Sequence, residues 1–159
     1  ILKNHKMTPK FFFRAVFFLG IFFTFLSTSV AAEFLSVKNK SLILFEGPSA
    51  ATKKKFIVTE GYPLKVIVSL KDWKKVEDHL GKFSWAQAKN LDSERTVITL
   101  KSQATIYNKP SKREAKLAYI DKLVVLNLLS PIVSDGWIEV KSTSVGVQGF
   151  IKAEEVWGI

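Results

Sequence analysis

Cysteine is absent from all 159 residues, which rules out disulfides, thiolate metal sites and cysteine nucleophiles. Histidine is nearly as scarce, and His79 is the only one after residue 33. A zinc site needs at least three ligands from cysteine, histidine or carboxylate, and no segment spaces them suitably. The chain lacks a G-x-S-x-G elbow for a serine nucleophile. It also lacks the G-x-x-x-x-G-K-[ST] and G-x-G-x-x-G loops that cradle phosphates. Glu77-Asp78 and Glu154-Glu155 are adjacent carboxylates, but neighbours on a strand point to opposite faces, so neither is a ready acid–base pair. His79 reads as a surface or turn residue. No catalytic residue, metal or cofactor is expected, and the chain reads as a noncatalytic binder.

Acidic residues are missing from the first 32 positions, and all 14 lie from Glu33 onward. Four of the 24 basic residues (Lys3, Lys6, Lys10 and Arg14) precede that point, which leaves 20 against 14, a net charge of +6. A surplus of this size favours anionic surfaces and polymers, and it also serves solubility alone.

The N-terminal segment has a different composition. Met7 is the only methionine and marks the expected true start. Lys10 and Arg14 precede an apolar run over residues 15–26, and the small residues 27–32 (STSVAA) follow it. This is the layout of a secretory signal peptide, with Val30 and Ala32 placed for cleavage before Glu33. The run falls short of the roughly 20 apolar residues of a membrane-spanning helix. A periplasmic or secreted protein is therefore expected, with no membrane contact beyond the signal segment. Export argues against a nucleic-acid partner.

Beyond residue 33 no long helical period occurs. Short apolar or alternating runs cover residues 42–45, 56–58, 64–70, 96–100, 104–107, 117–120, 123–129, 137–140 and 149–151, broken by turn signals such as Glu60-Gly61, Lys109-Pro110 and Asp135-Gly136. Many short strands at close spacing indicate small barrels or a sandwich. In residues 64–70, Leu64, Val66, Val68 and Leu70 alternate, which predicts a strand with one strongly apolar face.

The chain also repeats itself. Gly47-Pro48-Ser49 is answered by Lys109-Pro110-Ser111, Trp73 and Val76 by Trp137 and Val140, and Ser84-Trp85-Ala86 by Gly149-Phe150-Ile151. The offset runs from 62 to 65 residues, so a duplicated unit of about 60 residues is the simplest account. Units of this size are marginal alone, and the two are expected to pack together. The expected division is a signal peptide over 1–32, a first barrel over 33–91, a linker over 92–95 and a second barrel over 96–159.

Each half resembles a bacterial SH3-like domain, and the pair is similar to exported two-repeat proteins of Gram-negative bacteria. The resemblance spans residues 38–159. It rests on the Gly-Pro turn after the first strand, the Trp-x-x-Val strand, the Gly-aromatic-aliphatic strand and the closing Val156-Trp157-Gly158. It implies two tandem SH3-like β-barrels and a partner in cell-wall peptidoglycan or a peptide of an envelope protein. The protein is expected to be a monomer.

Strand parity nominates the binding residues. Ile138 and Val140 share one face and should point inward, which places Trp137 with Glu139 on the outside. Ile151 should likewise face inward and Phe150 outward with Lys152. Trp137 and Phe150 then lie side by side, as Trp73 and Trp85 do in the first repeat, and Phe45 and Tyr107 are placed to join them. Such aromatics offer flat faces to sugar rings or prolines. The competing expectation is that Trp73, Trp85, Trp137 and Phe150 are buried between the barrels, in a purely structural or regulatory subunit.

Overall fold

The computed structural model describes residues 32–132 and 134–159. The expected signal segment, apart from Ala32, lies outside these residues.

The described chain is all-β, as expected. The first sheet contains β1 (Phe34–Val37), β2 (Ser41–Phe45), β3 (Lys54–Thr59), β4 (Pro63–Ser69), β5 (Trp73–Glu77), β6 (Phe83–Gln87) and β7 (Leu91–Asp92). The second contains β8 (Thr96–Thr99), β9 (Ala104–Tyr107), β10 (Lys116–Ile120), β11 (Val125–Leu128), β12 (Trp137–Ser142), β13 (Val147–Lys152) and β14 (Val156–Trp157). A three-residue 3-10 turn precedes the last strand of each sheet, at Ala88–Asn90 and Ala153–Glu155.

The strand orders are β3-β2-β6-β5-β4-β1-β7 and β10-β9-β13-β12-β11-β8-β14. Adding seven to each strand number of the first order gives the second, so the repeat seen in the sequence is a repeat of topology. It extends to single hydrogen bonds. The N–H of Ser49 donates to the Gly47 carbonyl and that of Thr52 to the Ser49 carbonyl; Ser111 to Lys109 and Glu114 to Ser111 reproduce the same turn. Ala88 donates to Asp72 as Ala153 does to Gly136.

Each sheet curls around its own core. Val37, Leu42, Leu44, Leu64, Val76 and Ala86 come from five strands of the first sheet yet form one buried cluster, which a flat sheet does not allow. In the second sheet Val97, Ile106, Leu126, Ile138, Val140 and Ile151 play that part. The inward parity expected for Ile138, Val140 and Ile151 holds, each being at most 1% exposed.

The two sheets belong to one compact unit and interlock. Ile98 (β8) and Trp157 (β14) pack into the first sheet's core cluster, and Trp157 meets Phe34 edge to face at 5.2 Å. The Thr96 hydroxyl donates to the Gly61 carbonyl at 2.6 Å. Residues 92–95, the expected linker, take part in this junction. Asp92 pairs with Ser36 in the first sheet, Glu94 accepts from Asn127, and Arg95 donates to the Gly158 carbonyl at 3.0 Å while lying over the Phe34 ring.

The expectation of one apolar face along residues 64–70 fails. Leu64 is fully buried, but Val68 and Leu70 are 41% and 46% exposed. The register with β5 shifts between Val66 and Val68, and this bulge turns the rest of the strand away from the core.

The packing yields three predictions. A Cβ on Gly149 would stand 2.3 Å from the Tyr107 carbonyl oxygen, whereas its counterpart Ser84 is buried with its hydroxyl unpartnered among the described residues. Gly149→Ala is expected to lower the melting temperature in calorimetry. Ser84→Ala is expected to raise stability by about 1 kcal/mol in denaturant titration, since it removes an unsatisfied buried hydroxyl. Ile98→Ala is expected to cost about 2–4 kcal/mol through the cavity it leaves in the first core, and both sheets should still unfold in one calorimetric transition.

Candidate functional site

Two equivalent sites lie on the outer faces of the sheets, each under a proline turn. In the first, the β2–β3 turn carries Pro48. Phe45, the last residue of β2, pairs across the sheet with Trp85 of β6. Trp85 in turn stands opposite Lys75 of β5. The Phe45 ring meets Trp73 edge to face, with centroids 5.5 Å apart and planes at 86°. In the second, Tyr107 pairs with Phe150 and meets Trp137 at 5.4 Å and 87°. Phe150 stands opposite Glu139. The aromatic frame Phe45–Trp73–Trp85 is thus rebuilt as Tyr107–Trp137–Phe150, with the same contacts at nearly the same distances.

The frame explains the exposures. Phe45, Tyr107 and Trp137 are 7%, 9% and 5% exposed, because the edge-to-face contact covers one member of each pair with the other. Parity puts Trp137 on the outer face, as expected, but it does not leave that ring open. Lys152, opposite it on β13, holds its ammonium 4.4 Å from the Trp137 ring centre. Trp73, Trp85 and Phe150 remain half-buried. The junction between the sheets is filled by Ile98, Trp157 and Phe34.

A groove touches the tryptophan of each frame, but the two lie on different sides of it, since Trp73 and Trp137 are the one matched pair in their linings. The first, about 340 Å³, is lined by Lys71, Asp72, Trp73, Gln87, Ala88 and Lys89. The second, about 280 Å³, brings Pro110, Ile132, Trp137, Glu139 and Phe150 together. The sequence analysis reached all six aromatics and placed Glu139 beside Trp137. It missed Lys89 and Ile132, which sit in segments whose placement depends on register.

His79 is a turn residue, as read from the sequence, and it is also engaged. Its Nδ1 and the Tyr62 hydroxyl share a hydrogen bond, and the rings meet edge to face at 5.9 Å. Asp78 fixes the local turn by accepting from the Leu80 and Lys82 N–H groups. Burial pushes the Tyr62 hydroxyl up to about 12; a backbone hydrogen bond from His79 works against this, and the Asp78 carboxylate adds to it.

The fold and the repeated aromatic frame define a class: a tandem, all-β chain with one outer aromatic cluster per sheet. Within it, residues 38–93 match the family model of the bacterial SH3 domain, so the resemblance holds for the first sheet. A comparison with characterised proteins gives no match. Among solved structures, the chain is similar to NlpC2 from Trichomonas vaginalis, at 13% identity over 80% of this chain and 48% of that one, TM-score 0.37. NlpC1 from the same organism gives 14% identity over 82% and 47%, TM-score 0.36. An NlpC/P60 family protein from Bacillus cereus gives 15% over 78% and 55%, TM-score 0.36. The chain spans about half the length of these structures.

The Tyr62 shift carries a pH dependence. A folded-state value of about 12 lies above the ordinary 10.0, so the native state holds this proton more tightly. The stability it contributes is complete below pH 10 and is lost as pH rises from 10 toward 12. Denaturation midpoints across that range should fall more steeply for the wild type than for Tyr62→Phe; parallel slopes would refute the assignment.

Proposed function

We propose that the chain is a noncatalytic binding module of the bacterial envelope, holding cell-wall peptidoglycan, or a peptide, against its outer aromatic grooves. The observation that carries this reading is the aromatic frame kept in both repeats. Aliphatic side chains make up the second core and most of the first, which Tyr62 and Trp157 complete. Trp73, Trp85 and Phe150 stand outside those clusters and are half-open, and Trp73 and Phe150 each line a groove. Flat, rigid rings bind sugar rings or prolines at low entropic cost. The match of residues 38–93 to a bacterial SH3 domain agrees with a binding module. Export rests on the signal pattern in the sequence, and the absence of catalysis on the missing motifs. His79, the one histidine in the exported part, is paired with Tyr62 and lines neither groove.

A peptide ligand has a specific observation of its own. Strand β3 is the edge of the first sheet and presents Ile57 at 71% exposure. An extended peptide adding to that edge would use the open backbone groups of the strand.

The test is co-sedimentation with insoluble peptidoglycan over a salt series. Retention is expected at low salt, weakening as salt rises, and reduced at least about fivefold by Trp85→Ala, in keeping with one stacking contact. Absence of retention at low salt would remove the wall ligand and leave the peptide.

A further inference from the structure

A cleft of about 380 Å³ opens where the two sheets meet, and none of the six outer aromatics lines it. Its volume is that of a small-ligand site. Ser36 of β1, Glu60 after β3, Asp92 of β7 and Glu94 contribute to its lining, with Val125 and Asn127 of β11 from the second sheet. Three carboxylates thus share one cleft in a chain that carries 20 basic against 14 acidic residues from Glu33 onward.

Neighbouring cations do not cancel them. Lys38 is the one cation in the lining. The Lys40 carbonyl accepts from the Glu60 N–H, and Lys141 stands opposite Asn127, but neither lysine lines the cleft. Arg95 turns to the Gly158 carbonyl and the Phe34 ring. Glu94 accepts from the Asn127 amide at 2.6 Å, and Asp92 from the Glu94 N–H at 3.2 Å. These are neutral donors, so the negative charge stays unpaired among the described residues; their one ion pair joins Lys65 to Glu77.

Acidic residues alone make a solvated surface, and Ser36 is what distinguishes this one. It is 3% exposed. Val37 beside it turns into the first core, so strand alternation sends Ser36 the other way, into the cleft wall. Its hydroxyl makes no hydrogen bond among the described residues and opens on the cleft. Buried hydroxyls are ordinarily partnered. Nor does the fold demand this set. The Gly61 N–H donates to Val37 as the Leu123 N–H does to Thr99, and the closing pairs β1–β7 and β8–β14 match. In that register Ile98 replaces Ser36, Lys122 replaces Glu60 and Trp157 replaces Asp92, and the second sheet closes in the same order.

We propose that this cleft binds the ammonium group of a lysine-type residue within a peptide. An alkylammonium brings three donors and no acceptor. Ser36 Oγ accepts one of them, while Glu60 and Asp92 meet the charge in charge-assisted bonds. Val125 borders the methylene stem, and Lys38 is available to a peptide carbonyl oxygen, which a bare diamine lacks. Among the described residues the carboxylates do not gather closely enough to hold a metal ion; spread along a wall, they suit a cation on a stem. The site is separate from the aromatic frames and does not depend on their binding anything.

The test titrates acetyl-Ala-Lys-Ala-amide into the full chain. Backbone amide signals of Gly61 and Thr96 and the side-chain amide of Asn127 report the cleft, and the Trp73 and Trp85 indoles report the first aromatic frame. The lysine peptide is expected to shift the cleft signals, leave the indoles in place and lose affinity with salt. Its norleucine analogue, which keeps the stem without the ammonium, is expected to shift neither. The double variant E60Q/D92N should weaken binding by at least about tenfold, and Ser36→Ala by about fivefold, as the loss of hydrogen bonds to a charged group predicts. Ser36→Ala should do so without lowering the melting temperature, whereas a merely structural serine would lower it and leave binding unchanged. Silent cleft signals, equal shifts from the norleucine peptide, or unaffected variants overturn the proposal. Cadaverine binding as tightly as the lysine peptide overturns the peptide in favour of a free diamine. Calcium chloride displacing the peptide at equal ionic strength overturns it in favour of a metal ion. Indoles that shift while the cleft stays silent defeat this site and leave the aromatic reading standing.

Discussion

The described structure depends on two short strands that each pack on two cores. In β8, Val97 belongs to the second sheet's core and Ile98 to the first sheet's. In β14, Val156 faces its own core and Trp157 the other. Alternation with period two sends successive side chains to opposite faces, so one strand serves two cores at once. A unit of about 60 residues buries too small a share of its surface to be secure alone, and this shared wall adds an aliphatic and an indole to the first core. All four residues of β8 are buried, and the two threonines at its ends donate their hydroxyls to the Gly61 and Asp121 carbonyls.

The interlock is one-sided, and the asymmetry shapes the surface. The residues equivalent to Ile98 and Trp157 in the first repeat are Ser36 and Asp92, fixed by the matching closing pairs β1–β7 and β8–β14. Both line a polar cleft of about 380 Å³ between the sheets, with Glu60 and Glu94 nearby. Duplication gave two copies of one fold, and the join required one copy to become apolar where the other stayed polar. Ser36, 3% exposed, shows that burial there came without that change of chemistry.

Much of this was legible from residue patterns and some was not. Ile138, Val140 and Ile151 were placed correctly, because a regular strand with one apolar face fixes its own parity. The same reasoning failed for Val68 and Leu70, because a bulge shifts parity and leaves no mark in composition. The six aromatics were found through the repeat, but the closeness of Phe45 to Trp73 and of Tyr107 to Trp137 depends on which strands are neighbours. That β2 lies beside β6, and not beside β5, is a long-range fact that periodicity does not carry. Trp157 was noticed only as a closing motif; its role appears once Phe34, more than 120 residues earlier, stands beside it. Tyr62 and His79 are 17 residues apart, and their meeting requires the β4–β5 hairpin to fold first.

What a duplicated barrel can change follows from what holds it. The edge-to-face pairs contribute about 0.5–1.5 kcal/mol each beyond the area they bury, and they set the spacing of the hairpin against the proline turn, so replacing a ring disturbs both sheet and groove. Phe45 and Tyr107 differ by a hydroxyl, Trp85 and Phe150 by ring size, and the frame survives both. Charges beside the groove carry no such obligation. Exposed ion pairs and lone lysines contribute little to stability, so Lys71, Lys75 and Lys89 can become carboxylates in the other copy with almost no cost to the fold. These positions are therefore free to diverge while the frame stays fixed, and the sharpest differences between two such copies should be sought in the charges around a preserved ring cluster.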